Sequence, residues 1–414
     1  MKFKTAISVI GVATFLGGAY PAYAATSVEV LHWWTSGSEA KSIGILKQMM
    51  EKQGYQWKDI AVAGGNGDNA ITALKSRVVA GNPPTAAQIK GPTLQDLAAE
   101  GMLANIDAAA KDWDQLLPNE ISGIVKYKGH YVAVPFNDHR DNWLWINAEA
   151  LKKIHAQPPA TWKEFFDVAD KLKAAGYIPI AHGGQPWQEA TIFEDVVLSK
   201  GADFYRKALV QLDPAALNSP AMVDVFVTLR KISSYFDKAS PGRDWNLATA
   251  MVINGKAGMQ FMGDWAKGEF TNAGKQSGKD YLCVPAPGTA KGFIFNVDSF
   301  AMFKQNNPVA EKAQLALAAT VMSPEFQEAF NLNKGSIPVR KGISRDKFDA
   351  CAQRSMDDLA VAEKNNGFVP SLASNMAQPS STTGAMIDVI TQFMNSTQDP
   401  KKAAELLAKA AKVN

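Results

Sequence analysis

The sequence predicts an α/β protein folded as two large lobes. Two observations carry that expectation. Short β-branched runs alternate with helix-periodic segments joined by small polar loops, the pattern of a largely parallel sheet. The 414-residue chain is also longer than one hydrophobic core usually organises.

The elements follow in order. SVEVLHWW reads as a strand and KSIGILKQMMEKQG as the helix behind it; DIAVA, the loop GGNGDN and the helix AITALKSRVVAG repeat the unit, and TAAQIKG is the next strand. HYVAVPFND and NWLWIN lead the chain out of this first unit, and Thr161-Trp162-Lys163-Glu164 has the spacing of a capping box opening the helix EFFDVADKLKAAG. YIPIAHG is a further strand. A helix stops at Asn254-Gly255, AGMQFM is the strand after it, and Gly263-Asp264-Trp265 turns into another element, so Trp265 lies at a strand end. GFIFNVDSFAMF reads as one β-rich run, VAEKAQLALAATVM as a helix, Ser323-Pro324-Glu325 as a cap with proline in the first turn, and DPKKAAELLAKAAKV as the closing helix.

MKFK, an apolar run over 6–19 and Ala22-Tyr23-Ala24 have the order of a cleaved signal peptide over 1–24, so the expectation is export and a protein that is not inserted in the membrane. The run is shorter than the ~20 apolar residues of a spanning helix. The first cysteine is Cys283, so no lipid-bearing cysteine sits near the cut. Loss of Lys2 and Lys4 brings the formal charge of +3 closer to zero, with charges evenly spread, which excludes a nucleic-acid footprint. Cys283 and Cys351 are the only cysteines, and in an oxidising compartment such a pair is expected as a disulfide ahead of a metal or catalytic role.

In an α/β fold, ligands sit beyond the carboxyl ends of the strands. Trp33 and Trp34 end the first strand pointing in opposite directions, so one at most belongs to the core. The other can offer a flat apolar face, which suits the C–H face of a pyranose. Trp245 and Trp265 repeat the theme. Beside these rings stand Glu39, Gln88, Lys90, Asp141, Asn296, Asp298 and Lys334, whose carboxylates, amides and ammonium groups answer sugar hydroxyls, which both donate and accept. Each ring taken alone has core packing as its competing reading, and each charge a solvated loop; Trp162 is read as structural.

Gly65-Asn66-Gly67-Asp68-Asn69-Ala70 fits G-x-G-x-x-A between a strand and a helix, but Gln88-Ile89-Lys90 stands where a dinucleotide site needs an acid, so a flexible turn is expected. No nucleophile elbow, phosphate loop or zinc-protease motif occurs, and His32, His130, His139, His155 and His182 lack ligand spacing, so neither cofactor nor metal is expected. Paired carboxylates drawn from Glu39, Asp141, Asp264 and Asp298 keep a secreted glycoside hydrolase as the alternative function.

Taken together, HWW with Glu39 soon after, TW-x-EF, NGKAGM followed by GDW, and KGSIPVR make the chain similar to periplasmic sugar-binding proteins of ATP-driven importers, solute-binding protein family 1, above all their glucose and mannose receptors. The resemblance implies a non-catalytic, monomeric receptor of the two-lobe, type II-like periplasmic-binding-protein fold with three interlobe crossings. It implies closure on a small sugar, glucose or a similar monosaccharide, and handover to the membrane permease subunits. By matching motifs, Trp33, Trp34, Glu39, Gln88 and Lys90 come from the first lobe, Asp141 from near the first crossing, Trp245 and Trp265 from the second lobe, and Asp298 and Lys334 from near the second and third crossings. The C-terminal stretch VPSLASNMAQP offers Ser374 and Asn375 where glucose receptors tend to carry histidine, so Ser374 is included as a candidate ligand. The expected lobes are 25–140 with 296–335 and 141–295 with 336–414.

Overall fold

The computed structural model describes residues 26–413; the expected leader over 1–24 lies outside them. In the first lobe the strands Ser27–His32, Gln56–Ala61 and Ala86–Ile89 pair in parallel, Ser299–Met302 adds antiparallel to Ala86–Ile89, and Ala133–Pro135 forms the far edge. Val28, Val30, Leu31, Ala86 and Ala87 are wholly buried, the near-continuous apolar pattern of a sheet covered on both faces. The second lobe is built on Tyr281–Pro285, Trp143–Asn147, Ala257–Phe261 and Ile178–Ile180, in that order. Thr161 caps the helix Trp162–Ala174 by accepting from the Glu164 amide at 3.2 Å. That helix then buries Phe165, Ala169 and Leu172 in the second lobe's core.

A third sheet, in the order Ile337–Pro338, Asn137–Arg140, Phe293–Asn296 and Phe368–Pro370, joins the lobes. The chain crosses three times. Asn137–Arg140 carries it from Ala133–Pro135 to Trp143–Asn147, Phe293–Asn296 carries it back from Tyr281–Pro285 to Ser299–Met302, and the third crossing follows the helix Pro324–Lys334 through Ile337–Pro338. Arg140 locks the first crossing from within. It is wholly buried, its guanidinium pairs with Asp358 at 2.6 Å and lies 4.3 Å from the Trp143 ring centre, so its charge is compensated where water is excluded. Asp358 belongs to the helix Ala350–Lys364, which the Cys283–Cys351 disulfide fastens to the second sheet with Cα atoms 6.0 Å apart.

The run GFIFNVDSFAMF is not one strand. Phe293–Asn296 pairs in the crossing sheet and Ser299–Met302 in the first lobe. Asp298 sits at the corner, its amide donating to Asn137 Oδ1 at 3.0 Å and its carbonyl accepting from the Phe136 amide at 3.0 Å. A change of sheet within two residues thus brings a carboxylate to the floor between the lobes. Among the described residues, no helix is long and apolar enough to cross a membrane, and no group of three or more His, Cys, Asp or Glu is placed to hold a metal.

Candidate functional site

The interlobe cleft encloses about 320 Å³. Trp33, Glu39, Lys90 and Asn66 form its first wall, Trp187, Trp245 and Trp265 its second, and His139, Asn296, Asp298 and Lys334 its floor. Strand ends place most of them. Trp33 follows Ser27–His32, Lys90 follows Ala86–Ile89, Asn296 ends its strand, and Trp265 sits four residues after Ala257–Phe261.

Cations and anions alternate around the cleft. Lys334 Nζ donates to Glu39 Oε1 at 2.9 Å and lies 5.9 Å from the ring centres of both Trp34 and Trp265. Lys90 Nζ stands 3.6 Å from Asp298 Oδ1, 3.1 Å from Asn66 Oδ1 and 5.3 Å from the Trp33 ring centre. Asp298 also accepts from Gln88 at 2.9 Å, from Asn137 at 3.3 Å and from His139 at 3.1 Å. Burial alone would raise its carboxyl, but Lys90, His139 and Lys334 outweigh that and hold it well below the usual carboxylate range. Asp298 is therefore a fixed anionic acceptor. Both amide atoms of Asn296 are buried on the cleft floor without a partner in the protein. Buried polar atoms of this kind are costly unless something completes them.

Three of the twelve expected ligand residues stand outside the cleft lining, and a fourth, Trp34, is the core member of its pair. Gln88 is fully buried behind the wall, where its amide supports Asp298 and accepts from the Trp33 amide at 3.2 Å. Asp141 is turned into the second lobe and accepts from the Ser374 hydroxyl at 2.8 Å, so neither residue lines the cleft. Asp141 stacks charge on the equally buried Glu194, and burial pushes both carboxyls up. Trp34 reaches the lining with little of its surface, because its ring packs against Phe136, Phe300 and Phe330 in the first core. Trp33 is the half-buried member of the pair.

Several lining residues escaped the sequence reading. Trp187 opens the helix Pro186–Leu198, its indole N–H held by Gln185 Oε1 at 3.0 Å and its ring 6.1 Å from that of Trp265. A strand-end search passes over a helix start. His139 lies inside a crossing strand, where only the pairing of the lobes reveals it. Asn66 belongs to the glycine-rich segment expected to be a flexible turn. Instead Asn66 has a left-handed backbone (φ 51°), accepts from Lys90, and donates across the cleft to the Ala373 carbonyl at 3.0 Å. A Cβ at Gly67 would come 3.0 Å from the Trp33 ring, so glycine lets that ring lie on the loop.

The fold and its cleft define a two-lobed binding protein of the periplasmic type. The chain belongs to the bacterial extracellular solute-binding protein family, whose model matches residues 36–328. It is 48% identical over 98% of both chains to a protein of Rhizobium meliloti named probable sugar-binding periplasmic protein, and 47% identical over 93% of both to a Brucella melitensis protein of the same name. Among solved structures it resembles the bacterial solute receptor AcbH, described as having an exclusive preference for β-D-galactopyranose, with a TM-score of 0.79, 20% identity, and coverage of 94% of this chain and 98% of that one. The maltose-bound MalE3 of T. maritima gives a TM-score of 0.77 at 17% identity, over 94% and 99% of the two chains. Proteins of this family bind their ligands without turning them over, and this chain is not an enzyme. The hydrolase alternative falls with that assignment. The cleft argues the same way, because Asp298 stays ionised and could not serve as the general acid, while Glu39 is held by Lys334.

Proposed function

We propose that this protein is a periplasmic receptor that captures a small sugar, glucose or a similar monosaccharide, and presents it to the membrane permease subunits of an ATP-driven importer. The observation that carries the reading is the unpartnered amide of Asn296 beside the anchored carboxylate of Asp298, under walls of indole rings. Hydroxyls of one ring would both donate to and accept from that floor, while its C–H faces lie against tryptophan. The cleft volume is at the small end of the roughly 300–1,000 Å³ of small-molecule sites, which favours a short ligand. Export through the leader over 1–24 and a monomeric state belong to the same proposal. So do lobes over 25–140 with 296–335 and over 141–295 with 336–414.

A second reading, a disaccharide, is favoured by one feature. Trp33, Asn66 and Lys90 also line an adjoining recess of about 210 Å³, completed by Asp68, Lys75 and Asn375. Titration calorimetry against D-glucose, D-mannose, D-galactose and maltose separates the readings. Monosaccharide binding at micromolar or tighter dissociation constants, with maltose at least about tenfold weaker, is the expected result, a gap of about 1.4 kcal/mol. Preference for maltose would move the assignment to the longer ligand, and no binding of any sugar would overturn it.

A further inference from the structure

We propose that His139 is the positioning residue that couples the two walls of the cleft: its doubly protonated imidazole holds Asp298 on one side and, through Asp264, Trp265 on the other, so that sugar affinity depends on the proton it carries. The inference rests on the reading of the cleft as a sugar site. His139 lies in the first crossing strand, paired through Asn296 to the second, and is 1% exposed. Its Nδ1 bonds to Asp264 Oδ1, and its Nε2 lies 3.1 Å from Asp298 Oδ2.

Asp264 is stitched to the same strand, its other oxygen accepting from the Arg140 amide at 3.0 Å and its own amide donating to the Arg140 carbonyl at 3.0 Å. The turn that carries Trp265 is therefore fixed to His139. The two rings meet edge to face at 5.2 Å and 88°, and Trp265 lies so close over Gly263 that a Cβ there would come within 2.2 Å of it. One imidazole thus positions the acceptor of one wall and the indole of the other.

Two carboxylates on one imidazole favour its cation. A neutral ring has a single N–H and would turn a lone pair on one of the acids, whereas an imidazolium donates to both. Asn137 is the competing partner: its Oδ1 accepts from the Asp298 amide, so its NH2, 2.9 Å from Nε2 and 3.3 Å from Asp298 Oδ2, donates to Nε2 if the ring is neutral and to the carboxylate if it is charged, and the ring's nitrogen spectrum separates the two. The charged groups around the ring are Asp264 and Asp298 on the loops after their strands, Lys334 at the end of its helix, Lys90 beyond Asp298, Asp138 and Arg140 on its own strand, and Asp141 just past the strand's end. Burial by itself would lower the imidazole; Asp264 and the hydrogen bonds to both acids overcome burial and the opposing Lys334, and raise it above its ordinary value near 6.5. A raised value means that the cation's contribution is complete below the ordinary value near 6.5 and is lost as pH climbs through the raised one.

The test uses the full chain with D-glucose as probe. Affinity measured by calorimetry is expected to fall about tenfold between roughly pH 6 and pH 9, the loss of one charge-assisted hydrogen bond. His139→Gln is expected to bind more weakly at pH 6 and to show no alkaline step, and Asp264→Asn to shift the step to lower pH; the second variant serves if the first does not fold. Long-range nitrogen NMR of the unliganded protein should show both His139 ring nitrogens protonated at pH 6. A neutral ring there, or an alkaline step unchanged in His139→Gln, overturns the proposal. If D-glucose binds at no pH, the assignment of the ligand fails, while the ring spectrum still decides the proton: imidazolium supports it and neutral imidazole refutes it.

Discussion

Replacing Asp298 by asparagine is expected to weaken sugar binding by about ten- to a hundredfold, the loss of roughly 1.5–3 kcal/mol that a charged acceptor contributes. The carboxylate receives donors from Gln88, Asn137 and His139 and faces Lys90, and an amide can accept at only one end. Its NH2 would oppose donors already in place, and Lys90 and His139 would lose their counter-charge, so the melting temperature should fall as well. Calorimetry well below the melt keeps the two effects apart. Trp265→Ala is the control, since it removes contact area while leaving every ionised group of the cleft in place and should weaken binding broadly across sugars. Unchanged affinity in Asp298→Asn would remove the residue from the ligand's first layer of contacts.

Removal of the disulfide is expected to have the largest effect on stability. The bridge spans 68 residues of sequence, and closing a loop of that size restricts the unfolded chain by an amount worth about 4 kcal/mol on chain-entropy grounds, with measured values for native bridges of roughly 2–5 kcal/mol. Cys283→Ser with Cys351→Ser should therefore lower the denaturation midpoint markedly. The damage should reach the first crossing, because Cys351 anchors the helix whose Asp358 neutralises the buried Arg140. A thiol count on denatured, unreduced protein should find none, whereas two free thiols, or an unchanged midpoint in the double variant, would contradict the bridge's role.

Local chemistry made much of this architecture legible in the sequence. Hydrophobic periodicity marked the strands and helices, and the Thr161–Glu164 spacing marked a cap that the structure contains. Strand ends pointed to Trp33, Lys90, Asn296, Asp298 and Trp265, all of which line the cleft. What failed were properties that depend on partners remote in sequence. Whether Asp141 faces the cleft or the interior is decided by Ser374, 233 residues away, and Gln88 is drawn behind the wall by Asp298, 210 residues away. His139 was invisible for the same reason, since both of its acids arrive from other elements. Asn66 was hidden by its glycines, which read as freedom but serve a defined loop against Trp33.

The most direct test of the account is the mass of whatever small molecule co-purifies with native protein isolated from its own cells, followed by the fate of that molecule on prolonged incubation. The account predicts an intact small sugar, released on denaturation and chemically unchanged after hours with fresh protein. A ligand of another chemical class, or a glycoside cleaved during the incubation, would contradict it.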